Sequence, residues 1–211
     1  VDYFKIIVKG RGAHVSNPEK GIDALFVASE IVVSAQALVT RRTNPTDSVI
    51  IGIGKLEAGT AYNIVAKSAV LEETIRVMYP EIRKQVKSEL ESLAKGIASI
   101  YGAEAEIEYK DFTSPLINPV DTTKEVAIVA KRLLGEENVI TNRPYSLGGD
   151  DFAEFNLRVP GTYVYVGSGN ENNPNTMVAH YDGLFEIDED CLLIASRLHV
   201  AYALSFLENL I

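Results

Sequence analysis

Tyr3-Phe4-Lys5-Ile6-Ile7-Val8-Lys9 is rich in aromatic and β-branched residues and runs into Gly10-Arg11-Gly12, so it reads as a strand entering a glycine loop. A loop carrying His14 and Pro18 follows. Over residues 22–39 apolar side chains recur at helical spacing (Leu25, Ala28, Ile31, Val32, Ala35, Leu38), and Arg41-Arg42 complements a helix C-terminus. Residues 48–54 read as a strand, Glu57-Ala58-Gly59-Thr60 as a turn and residues 68–78 as a second strand region. Pro80 opens a helix running to about Tyr101, with Gly102 suited to its end, and residues 105–109 alternate as a last strand. The order is β-α-β-β-α-β, a ferredoxin-like antiparallel sheet of four strands backed by two helices.

The remainder of the chain reads differently. Residues 113–119 look like a linker, 124–134 a helix, 145–151 a glycine turn and 162–166 a short buried strand. Residues 170–175 form a polar loop, and Asp188-Glu189-Asp190 starts a long final helix to about Leu210. Two helices and one or two strands make a poor independent core, because a sheet needs about three strands or a covering partner to be stable. The second half is therefore expected to be a piece of a larger α/β domain. The predicted organisation is α/β (α+β), with one domain over 1–112 and part of another over 113–211.

The chain has 211 residues, 46% of them apolar and 23% charged, as in ordinary globular proteins. With 20 Lys+Arg against 29 Asp+Glu its formal net charge is −9, which argues against nucleic-acid and anionic-membrane partners. One cysteine, Cys191, forms no internal disulfide, and no apolar run is read as approaching a membrane span of about 20 residues. The start, Val1-Asp2-Tyr3-Phe4-Lys5, carries no signal-peptide pattern, so a cytoplasmic location is expected. The strand-like opening without an initiator Met suggests a polypeptide that begins inside a longer protein.

Among residues able to carry chemistry, His14 lies in a glycine-rich loop at a strand end, where an imidazole either projects toward a ligand or is an exposed loop side chain. His180 precedes Tyr181-Asp182-Gly183, a turn suited to a metal-binding or acid/base imidazole, though one histidine does not make a metal site. His199, among Leu198, Val200 and Ala201, reads as structural or surface-exposed. Gly148-Gly149-Asp150-Asp151 either lets the backbone approach a ligand with one Asp facing it, or starts a helix. Arg76, in the otherwise apolar Ile75-Arg76-Val77, needs an anionic partner, either an internal carboxylate or a substrate carboxylate. Asn63 follows the turn at Gly59-Thr60. Gly52-Ile53-Gly54-Lys55 lacks the spacing and following helix of a phosphate loop, and acidic neighbours disfavour a Cys191 thiolate.

Several stretches in one order resemble the metal-dependent aminoacylase/carboxypeptidase family of peptidases and amidohydrolases, the M20-type group that contains hippurate hydrolase and auxin-conjugate hydrolases. They are Gly10-Arg11-Gly12-Ala13-His14, Gly59-Thr60-Ala61-Tyr62-Asn63-Ile64-Val65, Thr74-Ile75-Arg76, Gly148-Gly149-Asp150-Asp151-Phe152, Val159-Pro160-Gly161, and His180 with Phe185-Glu186-Ile187-Asp188-Glu189. The resemblance implies a lid or dimerisation domain followed by the C-terminal portion of a catalytic domain. It implies a centre of two divalent metal ions (Zn, Mn or Co), hydrolysis of an amide bond in an N-acyl amino acid or small peptide, and a homodimer. By position His180 is similar to the last metal ligand and His14 to the lid histidine that reaches across the dimer to a tetrahedral oxyanion. Asn63 and Arg76 are similar to substrate-binding residues, Arg76 gripping a carboxylate. The family's N-terminal catalytic segment, with its His-x-Asp or Cys-Gly-His-Asp ligands and Glu-Glu pair, is not among these residues, and Asp150 stands where Glu is usual. The chain alone is therefore expected to be catalytically incomplete and to hold no metal pair by itself. The alternative, from another class, is a non-catalytic dimerising or small-ligand-binding ferredoxin-like module.

Overall fold

A computed structural model describes residues 1–208; the expected end of the last helix at Leu210 lies outside the described residues. The elements are β1 (Asp2–Lys9), α1 (Ala24–Ala37), β2 (Val49–Ala58), β3 (Ser68–Val77), α2 (Pro80–Ile100), β4 (Glu104–Asp111), α3 (Val120–Leu134), α4 (Phe152–Asn156) and α5 (Asp190–Glu208). The chain divides into two compact units. One comprises Val1–Leu116 with Ser146–Ala153, the other Ile117–Tyr145 with the chain from Glu154 onward.

The first unit has the expected ferredoxin-like topology. Its antiparallel sheet runs in the order β2-β3-β1-β4, and Ile6 of β1 faces Leu71 of β3 on one side and Ile107 of β4 on the other. The period-two pattern sends Phe4, Ile6 and Val8 of β1 and Leu71, Ile75 and Val77 of β3 to the buried face. Val27 and Ile31 of α1 and Val86 and Leu90 of α2 join the same core. Asp23 caps α1 by accepting from the backbone N–H groups of Leu25 and Phe26 at 3.0 and 3.4 Å. Pro80 stands in the first turn of α2, and Gly102, at φ +73°, closes that helix in the left-handed region.

Asp2 breaks the apolar pattern of the inner face and is fully buried. Its carboxylate is gripped by Arg83, whose Nε and Nη2 donate at 2.6 Å each, and by Lys87 at 3.1 Å. Burial alone would raise this carboxyl, but the donors, Arg83 foremost, outweigh it and bring its pKa down to about 2. Glu73 breaks the pattern without such help. It lies on the buried face of β3 beside a register shift between Ile53 and Lys55 of β2, 2% exposed, and neither carboxylate oxygen has a hydrogen-bond partner. Desolvation pushes its pKa up to about 7.

In the second unit α3 and α5 meet through a small buried cluster of Val129, Ala130 and Leu198. Two expectations fail here. Residues 162–166 form no strand, because no neighbouring strand exists among the described residues to pair with them. Instead the side-chain amide of Asn118 serves both backbone groups of Tyr163, donating to its carbonyl and accepting from its N–H at 2.9 Å each. Two helical stretches, Ala24–Arg42 and Asp190–Glu208, are also each 19 residues long and apolar enough to cross a membrane by length and composition. In the sequence, scattered polar residues interrupt both runs. The first is the core helix α1 and its continuation, with Ala24, Val27, Ala28, Ile31 and Ala35 buried under the sheet.

Candidate functional site

Two loops of the first unit are stitched together beyond one end of the sheet. The β1–α1 loop (residues 10–23) and the β2–β3 loop (residues 59–67) exchange backbone hydrogen bonds from Val15 N–H to Asn63 O (3.1 Å) and from Val65 N–H to Ala13 O (2.9 Å). His14 and Ile64 form an isolated antiparallel bridge between them. At the root of the loops Gly10 N–H donates to Lys67 O at 2.9 Å. A Cβ at Gly10 would stand 2.2 Å from the carbonyl oxygen of Ile22, so only glycine allows the first loop to fold back this tightly.

This pairing brings His14 and Asn63 together on an exposed surface. The backbone N–H of Ser16 approaches Nδ1 of His14 at 3.2 Å and the Ser16 hydroxyl lies 2.7 Å from the same nitrogen. A backbone N–H can only donate, so Nδ1 is the acceptor and the neutral ring carries its proton on Nε2. Nε2–H is then the ring's donor, the form an imidazole needs to stabilise developing negative charge.

Arg76 lies near the opposite end of β3. It stands eight positions along the strand from Ser68, where the strand leaves the paired loops, which is about 26 Å at 3.3 Å per residue. One copy of the chain does not gather His14, Asn63 and Arg76 around a single small substrate. Arg76 is half-buried, and its Nη1 donates to the carbonyl of Leu147 at 3.1 Å. Among the described residues no carboxylate lies within ion-pair distance of it, so the internal-partner reading of this arginine finds no partner.

The Gly148-Gly149-Asp150 segment serves its own unit. A Cβ on Gly149 would come within 2.7 Å of the Val1 side chain and 3.1 Å of that of Thr113, so the close approach permitted here is taken by the chain itself. Asp150 accepts from Phe152 N–H through Oδ1 at 2.9 Å, and its carbonyl accepts from the Thr113 hydroxyl at 3.0 Å. It caps the short helix α4, the helix-start alternative of the sequence reading.

His180, in the second unit, is exposed, its ring packed edge-on against Phe185 at 4.8 Å between centroids. Tyr181 beside it takes a positive φ of 69°, and Asp182 Oδ1 accepts from Leu184 N–H at 2.9 Å to close the turn. No group of three or more His, Cys, Asp or Glu able to hold a metal ion exists among the described residues. The residues present thus do not fit a metal centre, and His180 is a single candidate ligand. His199 is exposed on α5.

A family model described as a peptidase dimerisation domain, of the M20 type, matches residues 2–101, which run from β1 through α2 and include both His14 and Asn63. The chain is 31% identical to the N-acetylcysteine deacetylase of Bacillus subtilis over 100% of its own length and 53% of the relative's. It is 32% identical to thermostable carboxypeptidase 1 of Saccharolobus solfataricus over 97% of its length and 51% of that protein. Residues 2–101 belong to the M20-type peptidase dimerisation domain family. A solved M20 structure, the Bacillus subtilis YXEP protein, described as a dinuclear metal-binding peptidase, superposes with a TM-score of 0.70 at 27% identity, covering 98% of this chain and 50% of that one. The chain spans about half the length of the curated relatives it matches.

Two features of this chain escaped sequence reasoning. Ser16 looks like any loop serine until its N–H and hydroxyl are seen at the His14 ring. Glu73 was legible in principle, since in Leu71-Glu72-Glu73-Thr74-Ile75 it shares the parity of the two apolar residues.

Proposed function

We propose that this chain contributes the lid or dimerisation domain (1–112) and the C-terminal part of the catalytic domain (113–211) to a cytoplasmic, homodimeric, metal-dependent hydrolase that cleaves the amide bond of N-acyl amino acids or small peptides. The observation that carries the reading is the separation of about 26 Å along β3 between Arg76 and the loops holding His14 and Asn63. A small substrate held by all three requires His14 and Asn63 of one copy to act with Arg76 of another, and a dimerisation domain supports that arrangement. In it, Arg76 fixes a substrate carboxylate, Asn63 orients the amide, and the Nε2–H of His14 donates to the oxygen that gains charge as the carbonyl becomes tetrahedral. Two divalent ions, zinc, manganese or cobalt, belong to the complete site, and His180 is the ligand this chain brings to them. The names of the relatives, a deacetylase and a carboxypeptidase, support the substrate class.

Mixed dimers test the proposal. In full-length enzyme with metal supplied, His14→Ala is expected to lower kcat by about 10²- to 10³-fold, the usual cost of one oxyanion donor, with KM little changed. Arg76→Ala is expected to raise KM for N-acyl amino acids. Co-assembled His14→Ala and Arg76→Ala subunits restore one working site per dimer if the two side chains serve a site from different copies. If they serve it from the same copy, the mixed dimer stays inactive and the arrangement is wrong. Full-length protein that cleaves no N-acyl amino acid or peptide would leave the non-catalytic module as the reading.

A further inference from the structure

The loops that present His14 and Asn63 also border an open cavity of about 200 Å³. Its walls include Gly12, Thr60, Ile64, Val65, Lys67 and Ser68, and Lys67 is the only ionisable side chain on them. No carboxylate lines the space, and among the described residues Lys67 makes no ion pair, in a chain whose net charge is −9. The backbone beneath Lys67 is fixed. Its carbonyl accepts from Gly10 N–H at 2.9 Å, and the preceding Val65 and Ala66 are buried. An ammonium on an anchored backbone, two hydroxyl donors from Thr60 and Ser68, and an aliphatic wall from Ile64 and Val65 together match a carboxylate on a short hydrocarbon chain.

Gly12 keeps the space open. A Cβ built there meets Val65 O at 3.6 Å and the Lys67 Cβ at 3.7 Å, ordinary contact distances, so a side chain at position 12 is tolerated by the backbone and its further atoms would enter the cavity.

We propose that this cavity is an anion subsite in which Lys67, with Thr60 and Ser68, binds a second carboxylate of the substrate, separate from the one assigned to Arg76. The assignment of that carboxylate to the substrate rests on the hydrolase reading above, because it is the His14–Ile64 bridge that puts the cavity beside the reacting groups. The enzyme is then specific for dicarboxylic substrates, those with an acidic acyl group or an acidic amino-acid side chain, over neutral ones of the same length.

The test is an NMR titration of the 211-residue chain with glutarate, using glutaramide as its neutral counterpart. Glutarate is expected to give saturable amide shifts centred on Gly12, Thr60, Lys67 and Ser68, while glutaramide binds about tenfold or more weakly. Lys67→Met removes the charge and Gly12→Leu fills the space, and each is expected to abolish the saturable shifts while leaving the rest of the spectrum in place. Lys67 is exposed, so its substitution reports binding even if the glycine variant folds poorly. Shifts that do not saturate, that survive Lys67→Met, or that glutaramide reproduces would overturn the subsite. His14→Ala is expected to leave the titration unchanged, so absence of turnover in full-length enzyme with glutarate binding intact counts against the hydrolase reading alone. Turnover whose preference between acidic and neutral substrates ignores Lys67→Met counts against the subsite alone.

Discussion

The two units of this chain follow the same rules of hydropathy and reach different ends. In the first, every apolar face made by the alternation of β1 and β3 is covered by α1 and α2, and Phe4, Ile6, Ile31, Leu71 and Leu90 are fully buried. In the second, α5 buries Leu198 while Leu192, Leu193, Val200, Leu204 and Leu207 are each more than half exposed. A helix that is apolar on several faces is built to be covered on several sides. The first unit contains its own covering elements, whereas the second presents surfaces that call for a partner. Relatives about twice as long as this chain supply a natural source of one.

Core truncation probes the difference most strongly. Phe4→Ala is expected to cost about 3–5 kcal/mol, as for a large side chain removed from a closed core, whereas Leu198→Ala in the small α3–α5 cluster should cost less than half as much. Urea unfolding followed by amide signals of each unit measures both. Equal losses would show that the second unit is as well closed as the first.

The next largest effect concerns the charge that the first unit buries successfully. Asp2→Ala removes the buried carboxylate of a cluster in which Arg83 and Lys87 also face the exposed Asp111, at 3.6 and 2.8 Å, and is expected to cost about 3 kcal/mol. The pH dependence has a definite sign. The folded-state pKa, about 2, lies below the ordinary value of about 3.9, so this stabilisation is present above pH 4 and is lost as pH falls toward 2. The variant's stability should therefore fall less steeply over that interval. An acid limb identical to that of the unaltered chain would show that the Arg83 pair contributes nothing.

Glu73 is the flaw in the better-built unit. Its pKa, pushed up to about 7 by burial, lies above the ordinary carboxylate value, so its neutral form is compatible with the core below about pH 4.5 and stability is lost as pH rises through 7. Glu73→Met, apolar and of similar length, is expected to stabilise the chain by about 2 kcal/mol at pH 8 and to flatten the fall between pH 5 and 8. Unfolding curves across that range decide it. A destabilised variant at pH 8 would mean that the carboxylate finds partners in solution.

What the sequence disclosed follows the range of the interactions involved. β1, α1 and α2 were legible because alternation, helical spacing, Pro80 and Gly102 are local signals. Residues 162–166 carry β-favouring side chains, but a strand exists only against a hydrogen-bonded neighbour, and here Asn118 takes that role at Tyr163. The site divides the same way. His14, Asn63 and Arg76 were recognisable as residues, yet their distribution was not, since the pairing of two loops and the length of β3 decide which of them meet. The cavity around Lys67 left no trace in the sequence beyond a lysine between Ala66 and Ser68.

The smallest expected effect is the sharpest statement about the second unit. Leu193 is 64% exposed on α5, so Leu193→Ser removes little that is packed within the chain and should change unfolding stability by less than about 0.5 kcal/mol. The same substitution takes away exposed apolar surface, so light scattering of the isolated chain should fall. In the full-length protein the prediction reverses. There the α5 face is expected to be covered, and the serine should cost about 2 kcal/mol or more through lost burial. A leucine that is neutral in the chain and costly in the longer protein locates the missing half of the core. One that is neutral in both would leave α5 an exposed face with no partner in its own protein.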